Sequence, residues 1–196
     1  GISPHFAQDG IIFAGTETAL YYTYNHARAW RQIEFPPETT PVLSLAVSPG
    51  YASDQTVLAG TENQGVFRST DGGESWKQVQ SQTEPANGIL FLDQDRILAA
   101  GEDGIASTRN CGDTWYLNTG ITGVLFLASC QEVVMAGTLD QGIWIKVGTT
   151  EWTVQKSLVA RSFLGMEISP RFAQDQTIFF YGLQEGIWKT TDSGKT

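Results

Sequence analysis

The feature that most constrains this chain is a repeat of roughly forty residues. "SPHFAQDGIIFAGT" begins at Ser3, "SPGYASDQTVLAGT" at Ser48 and "SPRFAQDQTIFFYG" at Ser169. Two shorter versions lie between, "LDQDRILAAGEDG" from Leu92 and "ASCQEVVMAGTLDQG" from Ala128. After each comes a second apolar run and a polar turn. In the first four the turn leads to a tryptophan: Trp30, Trp76, Trp115 and Trp152, spaced by 46, 39 and 37 residues. Self-similarity at such a period marks a chain built from one supersecondary unit. Approximate repeats run over 1–40, 41–83, 84–119, 120–160 and 161–196, the first and last incomplete.

Each unit reads as four short strands. In the second repeat these are "VLSLAVS" (42–48), "TVLAG" (56–60), "GVFRS" (65–69) and "WKQVQ" (76–80). Runs of about five residues rich in β-branched and aromatic side chains, bounded by Gly, Asn and Asp, are strand signals. "TENQ" (61–64) is short enough for a hairpin turn. No long stretch carries helical periodicity. Four antiparallel strands recurring every ~40 residues fit a β-propeller blade, a sheet that buries its faces against neighbouring blades. A β-sandwich does not repeat its loop sequences in this way. The expectation is one all-β domain over 1–196, a five-bladed propeller whose first and last repeats meet, with part of a six- to eight-bladed ring as the alternative.

"STDGGESW" in the second repeat sets Ser69, Asp71, Gly73 and Trp76 between the third and fourth strands. "TRNCGDTW" repeats the arrangement with Thr108, Asn110, Gly112 and Trp115, and "TTDSGKT" with Thr190, Asp192 and Gly194. The first repeat keeps Thr23, Asn25 and Trp30 but has Ala27 at the glycine position; the fourth keeps only Trp152. Recurring at one place in successive repeats, this pattern resembles the Asp-box, or BNR-repeat, of propellers such as sialidases, sortilin-type receptors, xyloglucan-cleaving enzymes and photosystem II assembly-factor-like proteins. In these families the box lies away from the usual ligand face. The residue types themselves point to a structural turn. Asp or Asn accepts from nearby backbone N–H groups, the hydroxyl adds a local bond, and Gly takes positive φ. The tryptophan is expected to pack into its blade's core.

The "SP" loops carry the same message. Pro4, Pro49 and Pro170 end the inner strand. Phe6, Tyr51 and Phe172 are expected to cover an adjacent blade, and Asp9, Asp54 and Asp175 to close the loop by hydrogen bonding.

A catalytic constellation is hard to find. A sialidase-like site would need clustered arginines, a Tyr–Glu pair and an acid, and no common inner-strand position supplies arginines. Paired glycosidase carboxylates would need two acids in one cleft. The inner strands offer Glu167, with Asp93 at an end, and Glu167 reads as an acid facing channel water. No phosphate loop and no Ser/His/Asp set is visible. Cys111 and Cys130 are expected to be free thiols. With His5 and His26 far from both they form no zinc pattern. No cofactor and no metal are expected.

One pattern recurs outside the box. The turn between second and third strands carries an acid in every repeat: Glu17, Glu62, Glu102 with Asp103, Asp140 and Glu185. These turns share one face of a propeller, where a ring of acids would focus negative potential. A formal net charge of -9 and no basic stripe argue against nucleic acid. No apolar run approaches membrane-helix length. The expectation is a non-enzymatic binding or assembly scaffold. Its partner is a protein segment, basic if the acidic face receives it. A glycoside-active or carbohydrate-binding propeller is the alternative, and a secreted, periplasmic or cell-surface setting is favoured.

Overall fold

The computed structural model describes residues 1–36, 41–81, 84–155, 163–169, 171–182 and 186–192. Five antiparallel sheets follow one another along the chain. Blade one holds β1 (Ile12–Gly15), β2 (Leu20–Thr23) and β3 (Arg31–Ile33). Blade two holds β4 (Val42–Val47), β5 (Val57–Thr61), β6 (Val66–Ser69) and β7 (Lys77–Gln80). Blade three comprises β8 (Gly88–Phe91), β9 (Ile97–Ala100), β10 (Ile105–Thr108) and β11 (Tyr116–Asn118). Blade four comprises β12 (Val124–Cys130), β13 (Val133–Thr138), β14 (Ile143–Val147) and β15 (Thr153–Gln155). Blade five shows β16 (Gly165–Ile168), β17 (Ile178–Gly182) and β18 (Gly186–Thr190). Within each sheet the strands pair in chain order, as up-and-down blades do. The fold is therefore an all-β propeller arrangement of five blades.

Blade one keeps a remnant of its inner strand. Ile2 bridges Ile12, the Gly1 ammonium donates to Phe13 O at 2.9 Å, and Phe13 N returns a bond to Gly1 O at 2.8 Å. The innermost strands β4, β8, β12 and β16 lie side by side around the axis.

Strand alternation explains how the core is distributed. Successive residues of a strand point to opposite faces, so each sheet serves two junctions at once. Val57 faces blade one, in a cluster with Phe13, Leu20, Ile33 and Tyr51. Its neighbour Leu58 faces blade three, with Ile89, Ile97 and Ala99. Leu98 and Val134 meet between blades three and four. Met135, Met166, Phe172 and Ile178 meet between four and five. These four clusters join successive blades, and the cohesion is nearest-neighbour. Among the described residues no such cluster joins blade five to blade one.

The "SP" loops contain a single helical turn that the sequence did not announce: α1 (Phe6–Asp9), α2 (Tyr51–Asp54) and α3 (Phe172–Asp175). Four residues are too few to show a periodicity. Their aspartates close the loop in one way. Ser3, Ser48 and Ser169 hydroxyls donate to Asp9, Asp54 and Asp175 at 2.5, 2.6 and 2.7 Å. The other carboxylate oxygen accepts from the backbone N of Ile11, Thr56 and Thr177. Tyr51 and Phe172 are buried against the preceding blade as expected. Phe6 is not; it packs on His26 of its own blade, ring centroids 5.1 Å apart, because blade one has no neighbour on that side among the described residues. Pro170 lies outside the described residues.

Candidate functional site

The two rims of the propeller carry different loops. One rim carries the helical "SP" turns, the shorter turn at 92–96 that stands in their place in blade three, and the Ser/Thr-x-Asp/Asn turns, and in three blades the two kinds of turn are bonded to each other. His26, Gly72 and Cys111 N donate to Gly10, Gln55 and Asp95 O at 3.2, 3.0 and 3.0 Å. Within the turn of blade two, Gly73 N donates to Ser69 Oγ at 2.8 Å. Ser69 Oγ and Ser75 N both donate to Asp71 Oδ1, at 2.7 and 2.9 Å, and Ser75 Oγ donates to Asp71 Oδ2. Trp76 Nε1 donates to Gly73 O at 3.1 Å. Blade three repeats these bonds with Thr108, Asn110, Gly112, Thr114 and Trp115. Thr23 with Asn25, and Thr190 with Asp192, make the hydroxyl–carbonyl or hydroxyl–carboxylate bond in blades one and five. Gly194 lies outside the described residues. Gly73 has φ +98°, and a side chain there would press on Phe13 and Ile33 of blade one.

These bonds hold the Asp71 carboxyl down at about 2, with the Ser75 hydroxyl and backbone donors the largest causes. An acid so depressed is a permanent acceptor, unsuited to proton transfer near neutral pH. One expectation is corrected here. Trp76 and Trp115 are not enclosed in their own sheets. Each is half-buried at the junction with the preceding blade, Trp76 edge-on to Phe35 at 5.0 Å. Strand alternation leaves no room for an indole inside a single sheet layer.

The opposite rim gathers the turns between second and third strands and the entries to the inner strands. Here the recurrent threonine of "GT" matters, a signal visible in the sequence. Thr61 Oγ1 donates to Gly65 O at 2.9 Å and accepts from Gln64 N. Thr138 does the same with Gly142 O at 2.8 Å and Gln141 N, and Thr16 with the O and N of Ala19. The threonine thus folds the turn and leaves its acid facing solvent. Gly65 is required because at φ +64° a Cβ would lie 2.2 Å from Gln80 O.

Between blades three and four this rim opens into a cleft of about 600 Å³. Glu102, Asp103 and Asp140 line it, all exposed, beside Leu125, Leu139, Asn87 and Thr122. Its walls are fixed. Gly123 N donates to Glu102 O and Leu139 N to Gly123 O, each at 2.8 Å, and Asn87 Nδ2 donates to Val124 O at 3.0 Å. Gln141 Nε2 donates to Thr122 Oγ1 at 3.1 Å. Among the described residues no Lys or Arg pairs with the three acids; the ion pairs are Arg68–Asp113 and Arg96–Asp93. Glu17 and Glu62 sit on equivalent turns but outside this cleft, and Glu185 lies outside the described residues. Three of the six expected acids are thus brought together.

Other sequence candidates fall elsewhere. Glu167, on the innermost strand of blade five, is exposed. It pairs across the sheet with Phe179, on the outer side of blade five. Asp93 binds Arg96, which with neighbouring backbone donors holds its carboxyl below the usual range against the opposing effect of burial. Both cysteines are free thiols. Burial and a bond to Asp95 push Cys111 up to about 11. Among the described residues no His/Cys/Asp/Glu group could hold a metal ion, and no helix is long and apolar enough to cross a membrane.

No protein-family model matches the chain, and no curated protein matches it by sequence. Solved structures do match in fold. An ancestral GH74 enzyme superposes with a TM-score of 0.74 at 17% identity, over 98% of this chain and 30% of that one. YCF48 bound to D1 peptide gives 0.71 at 16%, over 94% and 62%. BBS1N in complex with ARL6DN gives 0.64 at 19%, over 93% and 61%. The chain therefore spans less than a third of the GH74 enzyme's length and under two thirds of the other two. At these identities the likeness establishes the propeller fold and no activity.

Proposed function

We propose that this propeller is a non-enzymatic binding module of the Asp-box type. On this reading the rim opposite the box turns receives a basic segment of a partner protein. The observation that carries it is the convergence of Glu102, Asp103 and Asp140 with Leu125 and Leu139 in one rigid cleft. Unpaired surface acids focus field and speed encounter with a cation, while adjacent leucines offer apolar area to a Lys or Arg stem. Each exposed ion pair adds only ~0.2–1 kcal/mol, so charge chooses the partner and apolar contact holds it. Two of the fold's relatives, YCF48 with D1 peptide and BBS1N with ARL6DN, were solved with protein ligands, which supports a protein partner here.

The GH74 likeness keeps a glycoside-active reading as the second choice. Against it, no aromatic residue is among those lining the cleft to stack a sugar ring. The test is fluorescence anisotropy with a labelled Lys/Arg/Leu peptide and its Glu/Asp/Leu counterpart, alongside a reducing-end assay on β-glucans. Saturable binding of the basic peptide, abolished by E102K/D103K/D140K, is expected. Reducing ends released from a glucan, or equal binding of both peptides, would overturn the proposal.

A further inference from the structure

The outer face of blade five is built like faces that the other blades bury. Aligning "QTIFF" with "QTVLA" places Phe179 at the position of Leu58, and of Phe13, Leu98 and Met135 in the remaining blades. Those four are 0–8% exposed, each sealed by the blade that follows; Phe179 is 41% exposed. "GIWKT" likewise places Ile187 with Leu20, Val66, Ile105 and Ile143. These are 0–2% exposed, and Ile187 is 80% exposed. Tyr181 pairs across the sheet with Ile187 and extends the same patch. The other face of the strand is finished, since Ile178 and Phe180 are buried against blade four.

Charge says what would cover this patch. In blade two, Leu58 pairs across the sheet with Arg68. Arg68 reaches over the junction to the turn of blade three, donating to Cys111 O and pairing with Asp113 at 3.0 Å. In blade five, Phe179 pairs with Lys189, whose ammonium lies 5.8 Å above the Phe179 ring, and among the described residues no acid forms an ion pair with it. Blade one does not match this cation. Its turn offers Arg28 where blade three offers Asp113, which would set two like charges together. Blades two and three carry Glu74 and Asp113 there.

We propose that the outer face of blade five is an interaction surface for a further blade of this repeat, one with an acid after its box glycine, seated as blade three is on blade two. The proposal is independent of what the acidic cleft binds.

The test extends the chain after Thr196 with a second copy of residues 76–119, which continues the repeat in register and supplies Asp113. The extended chain is expected to unfold in one transition, with Tm raised by at least about 4 °C. Lys189→Glu should lower that Tm, and should leave the Tm of the 196-residue chain unchanged. Ile187→Asp should also leave the 196-residue chain unchanged, and sedimentation should show that chain as a monomer. An extended chain with unchanged Tm, or one that fails to fold, overturns the proposal. So does a 196-residue chain that Ile187→Asp destabilises, or that self-associates through this face, because the occupant would then be blade one of the same or a second copy.

Discussion

Replacing Asp71 by alanine removes one carboxylate that accepts from the Ser69 hydroxyl, the Ser75 hydroxyl and Ser75 N. The hydroxyls can turn to water, so the cost falls mainly on the backbone donor and the lost turn closure, ~1–3 kcal/mol. For a chain of this size that corresponds to a fall in Tm of about 3–10 °C. Part of this is electrostatic and can be isolated by pH. The folded carboxyl sits at about 2, below its ordinary 3.8. A depressed carboxyl stabilises the fold above its unfolded pKa, and that contribution disappears as pH falls through the folded value. With solvent screening near the surface, the shift is worth ~1 kcal/mol. Blade three supplies the internal control. Asn110 accepts from Thr114 N at 3.0 Å and donates to the Thr114 hydroxyl at 2.9 Å, performing the same closure uncharged. Asp71→Asn should therefore cost only the electrostatic part, ~1 kcal/mol, and abolish its loss between pH 4 and 2. Urea unfolding of the parent, Asp71→Ala and Asp71→Asn at pH 7, 4 and 2.5 measures all three. The reasoning fails if Asp71→Ala is neutral at pH 7, or if the asparagine variant is as unstable as the alanine one.

Three further outcomes follow from the local surroundings of single residues. Ala27 sits at φ +63°, where Gly73 and Gly112 stand in the neighbouring blades; Ala27→Gly should stabilise by ~0.5–1 kcal/mol. The reverse change, Gly73→Ala, should destabilise by more because it also meets Phe13 and Ile33, and thermal melts read both. Cys111, with its thiol raised to about 11, should alkylate with iodoacetamide at pH 8 well below the rate of a free peptide thiol. Mass spectrometry over time measures this, and a rate equal to the peptide's would contradict it.

The repeat made the blades legible because a blade's strands, turns and loop aspartates are local features. "VLSLAVS", "TVLAG", "GVFRS" and "WKQVQ" match β4 to β7 to within a residue at each end. What escaped was set by neighbours. The seats of Trp76 and Trp115 depend on the preceding blade, and the reach of Arg68 to Asp113 depends on the following one. Glu167 lies in an apolar run like the other inner strands, and that it shares a sheet face with the exposed Phe179 again depends on neighbours. The acidic turns were legible as a common rim. That Glu102, Asp103 and Asp140 share one cleft while Glu17 and Glu62 do not depends on how successive blades meet at that rim, and no local sequence encodes that.

The most direct test of the central claim is a methyl NMR titration with the Lys/Arg/Leu peptide. The cleft reading requires the Leu125 and Leu139 methyls to shift first and saturably. The shifts should weaken as salt rises and be absent in E102K/D103K/D140K. Methyls of Leu58 and Ile97, buried between blades two and three, should stay unmoved. Shifts confined to the opposite rim, or Leu125 and Leu139 shifts that persist unchanged in the charge-reversed variant, would contradict it.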